Sequence, residues 1–99
     1  MTRARIDIPR DEVAAFCRRH HIRRLSLFGS VLRDDFTSDS DLDILVEFDE
    51  GHTPDWAFFG MQDELSAILG RKVDLNTPGF LSRYFRDQVI REAVVAYEH

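Results

Sequence analysis

Two aspartates separated by a single residue, Asp41 and Asp43, are the most chemically informative pair in the sequence. They begin the segment DLDILVEF (residues 41–48), in which apolar residues alternate as on a half-buried β-strand. That alternation places both carboxylates on one strand face, with Cα atoms about 6–7 Å apart. Carboxylates this close repel each other unless a proton or a cation lies between them. The pair therefore predicts a site for a hard divalent cation such as Mg²⁺, which binds carboxylates together with substrate phosphates.

A second feature, the dipeptide Gly29-Ser30, is suited to binding an anion. It follows the short apolar run Leu25–Phe28, which predicts a strand that ends in a turn and a helical start. Backbone N–H groups at a helix start bind phosphate, and glycine lets the backbone approach it closely. An anion-binding turn and an acidic pair on two strands together predict phosphoryl or nucleotidyl transfer.

The spacing of these residues resembles the G-S-x-x-R…S-D-x-D signature of the polymerase-β-like nucleotidyltransferase superfamily. The residues at the positions of that signature are Gly29, Ser30, Arg33, Ser40, Asp41 and Asp43. Asp74 falls where the superfamily has its third carboxylate, on the polar side of the strand-like segment Lys72–Leu75. Length and flanking sequence resemble the smallest branch, the minimal nucleotidyltransferase (MNT) antitoxins that accompany HEPN-domain toxins. The resemblance covers nearly the whole chain.

This resemblance implies a role for each residue. Asp41 and Asp43 would bind the Mg²⁺ ion that holds the nucleotide, and with Asp74 they would bind a second ion. Asp74 would also be the candidate base for the acceptor hydroxyl. Gly29 and Ser30 would hold the terminal phosphates through the turn, and Arg33 would offset charge on these phosphates or on a nearby carboxylate. Ser40 is the remaining nucleotide-binding candidate.

The MNT resemblance also implies a donor and an acceptor. The donor would be ATP, and its AMP would pass to a tyrosine hydroxyl of a partner HEPN toxin, so that the protein acts as an antitoxin in a hetero-oligomer. One alternative is a non-catalytic antitoxin that masks the toxin by contact. Another is transfer to a small molecule such as an aminoglycoside. Many relatives have Ala-Arg-Gly where this chain has Leu32-Arg33-Asp34, and the added charge of Asp34 and Asp35 favours weak turnover.

Length and composition limit the remaining classes. Ninety-nine residues predict one nucleotidyltransferase domain over 1–99, and 43% hydrophobic with 31% charged residues is ordinary for a globular protein. A net charge of −5 argues against direct nucleic-acid binding. No apolar stretch approaches the roughly 20 residues that a membrane helix needs. The single cysteine, Cys17, is expected in the core, and its isolation favours the cytoplasm.

The elements that must position these residues are predicted from periodicity and helix-start signals. We expect helices over 9–20, from Thr53-Pro54 to Gly70, and from Thr77-Pro78 to the end of the chain, with strands over 25–28, 41–48 and 72–75. The result is a small α/β fold, in which helices pack on a mixed β-sheet. In the last helix, Ile90, Val94 and Val95 add apolar surface beyond one core face, which predicts contact with another chain.

Overall fold

A computed structural model describes residues 8–33, 36–37, 39–52 and 57–99. The helices are α1 (Arg10–Arg19), α2 (Ala57–Leu69) and α3 (Arg86–Glu92), and the strands are β1 (Ile22–Phe28), β2 (Leu42–Phe48), β3 (Val73–Asn76) and β4 (Val94–Glu98). Short 3₁₀ helices follow β1 and β3, at Gly29–Leu32 and Pro78–Phe80. The strands form one mixed sheet in the order β3-β2-β1-β4. Only β2 and β3 are parallel, and α2 connects them as a crossover helix.

The core lies between one face of the sheet and helices α1 and α2. Alternate residues of β2 and β3 point into it, as the sequence predicts, and α1 adds Phe16 while α2 adds Leu65. Cys17 is fully buried there, and burial raises the pKa of its thiol to about 12. A thiol that is buried and protonated is a small core residue and no nucleophile, which confirms the prediction.

The predicted fold class, a small mixed sheet packed by helices, is confirmed. Helix α1 and strands β1 to β3 lie where the sequence predicts them, with ends shifted by a few residues. Gly70, with φ of 69°, ends α2 as expected, whereas its expected start at Thr53-Pro54 lies outside the described residues. Among the described residues, no helix is long and apolar enough to cross a membrane.

The prediction for the C-terminal third is wrong. Thr77-Pro78 begins only a 3₁₀ turn, α3 does not start until Arg86, and the chain then becomes extended at Ala93, where ψ is 142°. The residues that follow form β4, an antiparallel edge strand whose Val94 lies opposite Leu27 of β1. Two adjacent β-branched residues favour a strand. Pairing with β1 provides hydrogen-bond partners for the backbone N–H and C=O groups of β4, which in a helix would bond to one another.

The inferred apolar surface of a long last helix is therefore corrected as well. Ile90 lies on α3, whereas Val94 and Val95 lie on β4, where successive side chains point to opposite faces. Val94 is partly buried by the sheet and Val95 is 48% exposed. These three residues consequently do not form one helical stripe.

Candidate active site

The sheet brings the predicted chemical residues to one of its ends. Asp43 of β2 lies opposite Phe28, the last residue of β1, and also opposite Asp74 of β3. Because β1 runs antiparallel to β2, the turn after Phe28 begins where β2 begins. The Gly29-Ser30 turn, Asp43 and Asp74 therefore meet around the start of β2, with Asp43 between the other two.

The turn at Gly29 fits closely around the Asp43 carboxylate. Gly29 has φ of 76°, in the left-handed region where glycine carries no steric penalty. A β-carbon on residue 29 would lie 3.2 Å from Cγ of Asp43 and nearer still to its Oδ2. Ser30 comes next and its carbonyl accepts a 2.9 Å hydrogen bond from the Arg33 N–H, which closes the 3₁₀ turn. Glycine is thus required here by both the backbone and the neighbouring carboxylate.

Asp43 holds its proton more tightly than an ordinary aspartate. Burial is the main cause, and the charges of Asp74 and Asp41 and a side-chain hydrogen bond with Asp74 add to it. Arg33 opposes the effect, and the resulting pKa of Asp43 is about 6, compared with an ordinary value of 3.8. Three carboxylates are thus close enough to disfavour full ionisation in the absence of a counter-charge.

Asp41 lies immediately before β2 and is exposed. Its carboxylate is 3.7 Å from Nζ of Lys72, the residue that precedes β3. The Leu42 N–H donates a 2.9 Å hydrogen bond to the Lys72 carbonyl, so the starts of β2 and β3 are tied together on either side of this pair. An exposed ion pair of this length is weak, and Asp41 can exchange Lys72 for a metal ion at little cost.

Ser40 closes the turn that leads to Asp41. Its Oγ accepts a hydrogen bond of 3.1 Å from the Thr37 N–H. The Arg71 guanidinium fixes the same turn by donating to the carbonyls of Thr37 at 2.9 Å and Ser40 at 3.1 Å, and it lies over the Phe36 ring at 4.4 Å. In this structure Ser40 therefore acts on the local backbone. Arg71 was not predicted from the sequence, because a lone arginine after a helix carries no distinctive pattern.

The donor atoms suit Mg²⁺. All are carboxylate oxygens, which this hard cation prefers, and a cation would relieve the repulsion that raises the pKa of Asp43. Across the described ranges, no three His, Cys, Asp or Glu side chains already converge as a complete ligand set. Mg²⁺ requires few protein ligands when a substrate supplies phosphate oxygens, so the pair Asp41 and Asp43, with Asp74 beside it, remains a fitting site.

Helix α3 forms the other wall of the site. A cleft of about 380 Å³ is lined by Gly29, Arg33 and Asp43 on one side and by Gln88, Val89 and Glu92 of α3 on the other. The α3 residues of this cleft were not predicted as site residues, because the sequence pattern continues the last helix through residues that form β4. A separate cavity of about 440 Å³ lies at the opposite ends of β2 and β3, and its lining includes none of the predicted site residues.

The arrangement matches a known family. Residues 10–96 match the family model described as nucleotidyltransferase domain. The chain is 38% identical to a Methanocaldococcus jannaschii protein whose name proposes protein adenylyltransferase activity, over 90% of each chain. It is also 38% identical to protein adenylyltransferase MntA of Thermococcus cleftensis, over 77% of this chain and 76% of that protein. The chain belongs to the nucleotidyltransferase domain family.

Solved structures agree with this family assignment. A structure described as that of a proposed minimal nucleotidyltransferase is 40% identical, with a TM-score of 0.70 and 86% of each chain covered. A chain in a structure described as a tri-AMPylated Shewanella oneidensis HEPN toxin in complex with MNT antitoxin is 22% identical, with a TM-score of 0.65. That match covers 91% of this chain and 70% of the other. At that identity the second comparison establishes the shared fold. The enzyme class predicted from the sequence, nucleotidyltransferase, is confirmed.

Proposed function

We propose that this protein transfers AMP from ATP to a tyrosine hydroxyl of a HEPN-type toxin, in the presence of Mg²⁺, and thereby acts as an antitoxin. The observation that carries the proposal is the meeting of the Gly29 turn, Asp43 and Asp74 at adjacent positions of three strands. Nucleotidyl transfer needs these groups side by side, because the phosphates and the acceptor oxygen must be held in line.

In this proposal, the chain's residues position the reactants and move one proton. Gly29 and Ser30 hold the triphosphate through the turn, and Arg33 offsets its charge. Asp74 takes the proton of the attacking hydroxyl, so that a new bond forms between the acceptor oxygen and the α-phosphorus. The bond to the β-phosphate oxygen breaks and pyrophosphate leaves.

Asp41 and Asp43 would hold the first Mg²⁺ ion, and Asp74 would join them around a second. When bound, Mg²⁺ supplies charge stabilisation at the phosphates and a lower pKa at the acceptor hydroxyl. Ser40 contributes by setting the turn from which Asp41 projects. Asp34 and Asp35, whose charge favours weak turnover, lie outside the described residues.

Support for a protein acceptor comes from the relatives. A 38% identical protein is named protein adenylyltransferase MntA, and the fold is shared with an MNT antitoxin found in complex with an AMPylated HEPN toxin.

The test is labelling of a co-expressed HEPN partner with α-³²P-ATP and Mg²⁺, followed by peptide mapping. We expect label on a tyrosine of the partner, and we expect the Asp43→Asn variant to leave the partner unlabelled. Asp63→Asn is the matched control, because Asp63 is an exposed carboxylate on α2. A partner that stays unlabelled but is still neutralised would identify a masking antitoxin. Label on a small molecule alone would also overturn the proposal.

A further inference from the structure

A second cavity adjoins the active-site cleft. It measures about 560 Å³ and lies between the turn after β1 and the end of α3. Gly29, Arg33 and Glu92 line both spaces, whereas Asp43 lines only the first and Arg91 only the second. We refer to these two adjoining cavities together as the groove, with Asp43 on the lining of the first and Arg91 on the lining of the second.

Arg91 brings a positive charge to this groove that nothing in the described chain neutralises. Its side chain is exposed, and the structure records no hydrogen bond or ion pair for it with any residue that it describes. The whole chain has a net charge of −5, so an arginine that faces a cavity beside Arg33 stands out. A guanidinium group without a partner that lines a cavity can bind an anion there.

Glu92 lines the same groove, but its carboxylate already has a partner. Gln88, one turn earlier on α3, donates a 3.1 Å hydrogen bond from Nε2 to Oε1 of Glu92. This bond directs the carboxylate back along the helix. Arg33 and Arg91 line the second cavity together with this one glutamate.

We propose that Arg91 binds the β- and γ-phosphates of the donor nucleotide and holds the pyrophosphate until it leaves. This assignment rests on the proposed function, in which Asp74 takes the proton of the hydroxyl that attacks the α-phosphorus, and Asp43 lies opposite Asp74 in the sheet. A triphosphate that starts there and follows the groove past Gly29 carries its last two phosphates into the second cavity. A guanidinium group forms two parallel hydrogen bonds to phosphate oxygens, which makes arginine suited to this position.

The test uses the folded protein with Mg²⁺-pyrophosphate and with AMP as separate ligands, at low ionic strength, by isothermal titration calorimetry. Loss of one charge-assisted phosphate contact is expected to weaken pyrophosphate binding about tenfold in Arg91→Gln. Arg91→Lys keeps the charge but loses the planar guanidinium group, so its pyrophosphate affinity should lie between those of wild type and Arg91→Gln. AMP lacks the outer phosphates, so its affinity should be the same in wild type and variant.

Arg83→Gln is the matched control, because Arg83 is an exposed arginine close to α3 whose guanidinium lies 5.4 Å from the Tyr84 ring. It should bind both ligands as wild type does. Equal pyrophosphate affinity in wild type and Arg91→Gln would overturn the assignment. So would an equal loss of AMP and pyrophosphate affinity, since that would indicate a general effect of charge. Neither ligand requires AMP transfer to a partner, so a failure of the proposed transfer is a separate result.

Discussion

The backbone of Gly29 and the carboxylate of Asp43 occupy neighbouring space so tightly that residue 29 has no room for a β-carbon. The contact joins the end of β1 to the start of β2 at the point where the two strands pair. It fixes the distance between the turn that would hold phosphate and the carboxylate that would hold metal. In a reaction that depends on positioning, a shift of about 1 Å in this distance can cost about a hundredfold in rate.

Replacing Gly29 with alanine should therefore affect both stability and activity. A positive φ at a residue with a side chain costs about 1–2 kcal/mol, and the new methyl group also displaces the Asp43 carboxylate. We expect a lower melting temperature and a loss of AMP transfer of about a hundredfold or more. Thermal melts and labelling of the partner measure the two effects.

Gly51→Ala separates these two causes. Gly51 also has a positive φ, 82°, but a β-carbon there meets nothing within 4 Å. It should lose about the same 1–2 kcal/mol of stability and retain its transfer activity. If both alanine variants lose activity equally, backbone strain alone explains the result and the contact with Asp43 is not needed.

Arg71 should support the site without touching substrate. It donates hydrogen bonds to the carbonyls of Thr37 and Ser40, which form the turn before Asp41. Arg71→Ala removes both bonds, and we expect a loss of about 1–2 kcal/mol in the free energy of unfolding together with weaker Mg²⁺-ATP binding. Arg71→Lys retains the charge without the planar fork, so it should restore little of either. Full recovery by lysine would show that charge, and not geometry, is what Arg71 supplies.

The part of the fold that could be predicted is the part whose pattern is local. In β2, each apolar residue at every second position reaches the core, and this alternation alone placed Asp41 and Asp43 at the start of the strand. Leu45 is an exception, since it is 2% exposed although it lies on the face opposite the core. The 3₁₀ helix Pro78–Phe80, which is distant in sequence, contacts β2. The alternation of apolar residues within β2 cannot predict that such a segment packs on the strand.

Strand β4 could not be predicted for a related reason. Its pairing with β1 places Val94 opposite Leu27, a residue far away in the chain. The helical pattern of α3, just before β4, depends only on neighbouring residues. Because the last helix was extended through Val94, the groove between α3 and the Gly29 turn was also missed. Val94→Glu consequently tests folding, since it places a charge on a partly buried strand position.

Asp41 and Asp74 should differ in the step that they support. Under the proposed mechanism, Asp74→Asn removes the base but leaves the Asp41–Asp43 pair, so the turnover rate should fall while the melting temperature still rises on addition of Mg²⁺-ATP. Asp41→Asn removes a metal ligand, so that rise should become much smaller. Thermal melts with and without Mg²⁺-ATP, together with single-turnover labelling, distinguish the two. Equal loss of the Mg²⁺-ATP response in both variants would show that the first ion also needs Asp74, and it would leave the base unassigned.

Asp43→Asn should stabilise the metal-free protein, and only at higher pH. The folded-state pKa of Asp43 is about 6 and its ordinary value is 3.8, so the folded chain binds this proton more tightly than the unfolded chain. The stabilisation from that proton is complete below the ordinary value and is lost as pH rises through about 6. Asparagine carries no charge at any pH, so the variant avoids this loss.

We therefore expect the two proteins to melt at nearly the same temperature only below the ordinary value of 3.8, where Asp43 is protonated in both the folded and the unfolded chain. The advantage of the variant should grow as pH rises from there through about 6. At about pH 8 the variant should be more stable by an amount of order 1 kcal/mol, since solvent screens part of the repulsion from Asp41 and Asp74. Asp63→Asn, on the exposed side of α2, should show no such dependence. A variant that melts far below wild type at about pH 8 would contradict the expectation. It would mean that the ionised Asp43 carboxylate stabilises the folded state, whereas we expect its repulsion from Asp41 and Asp74 to destabilise it.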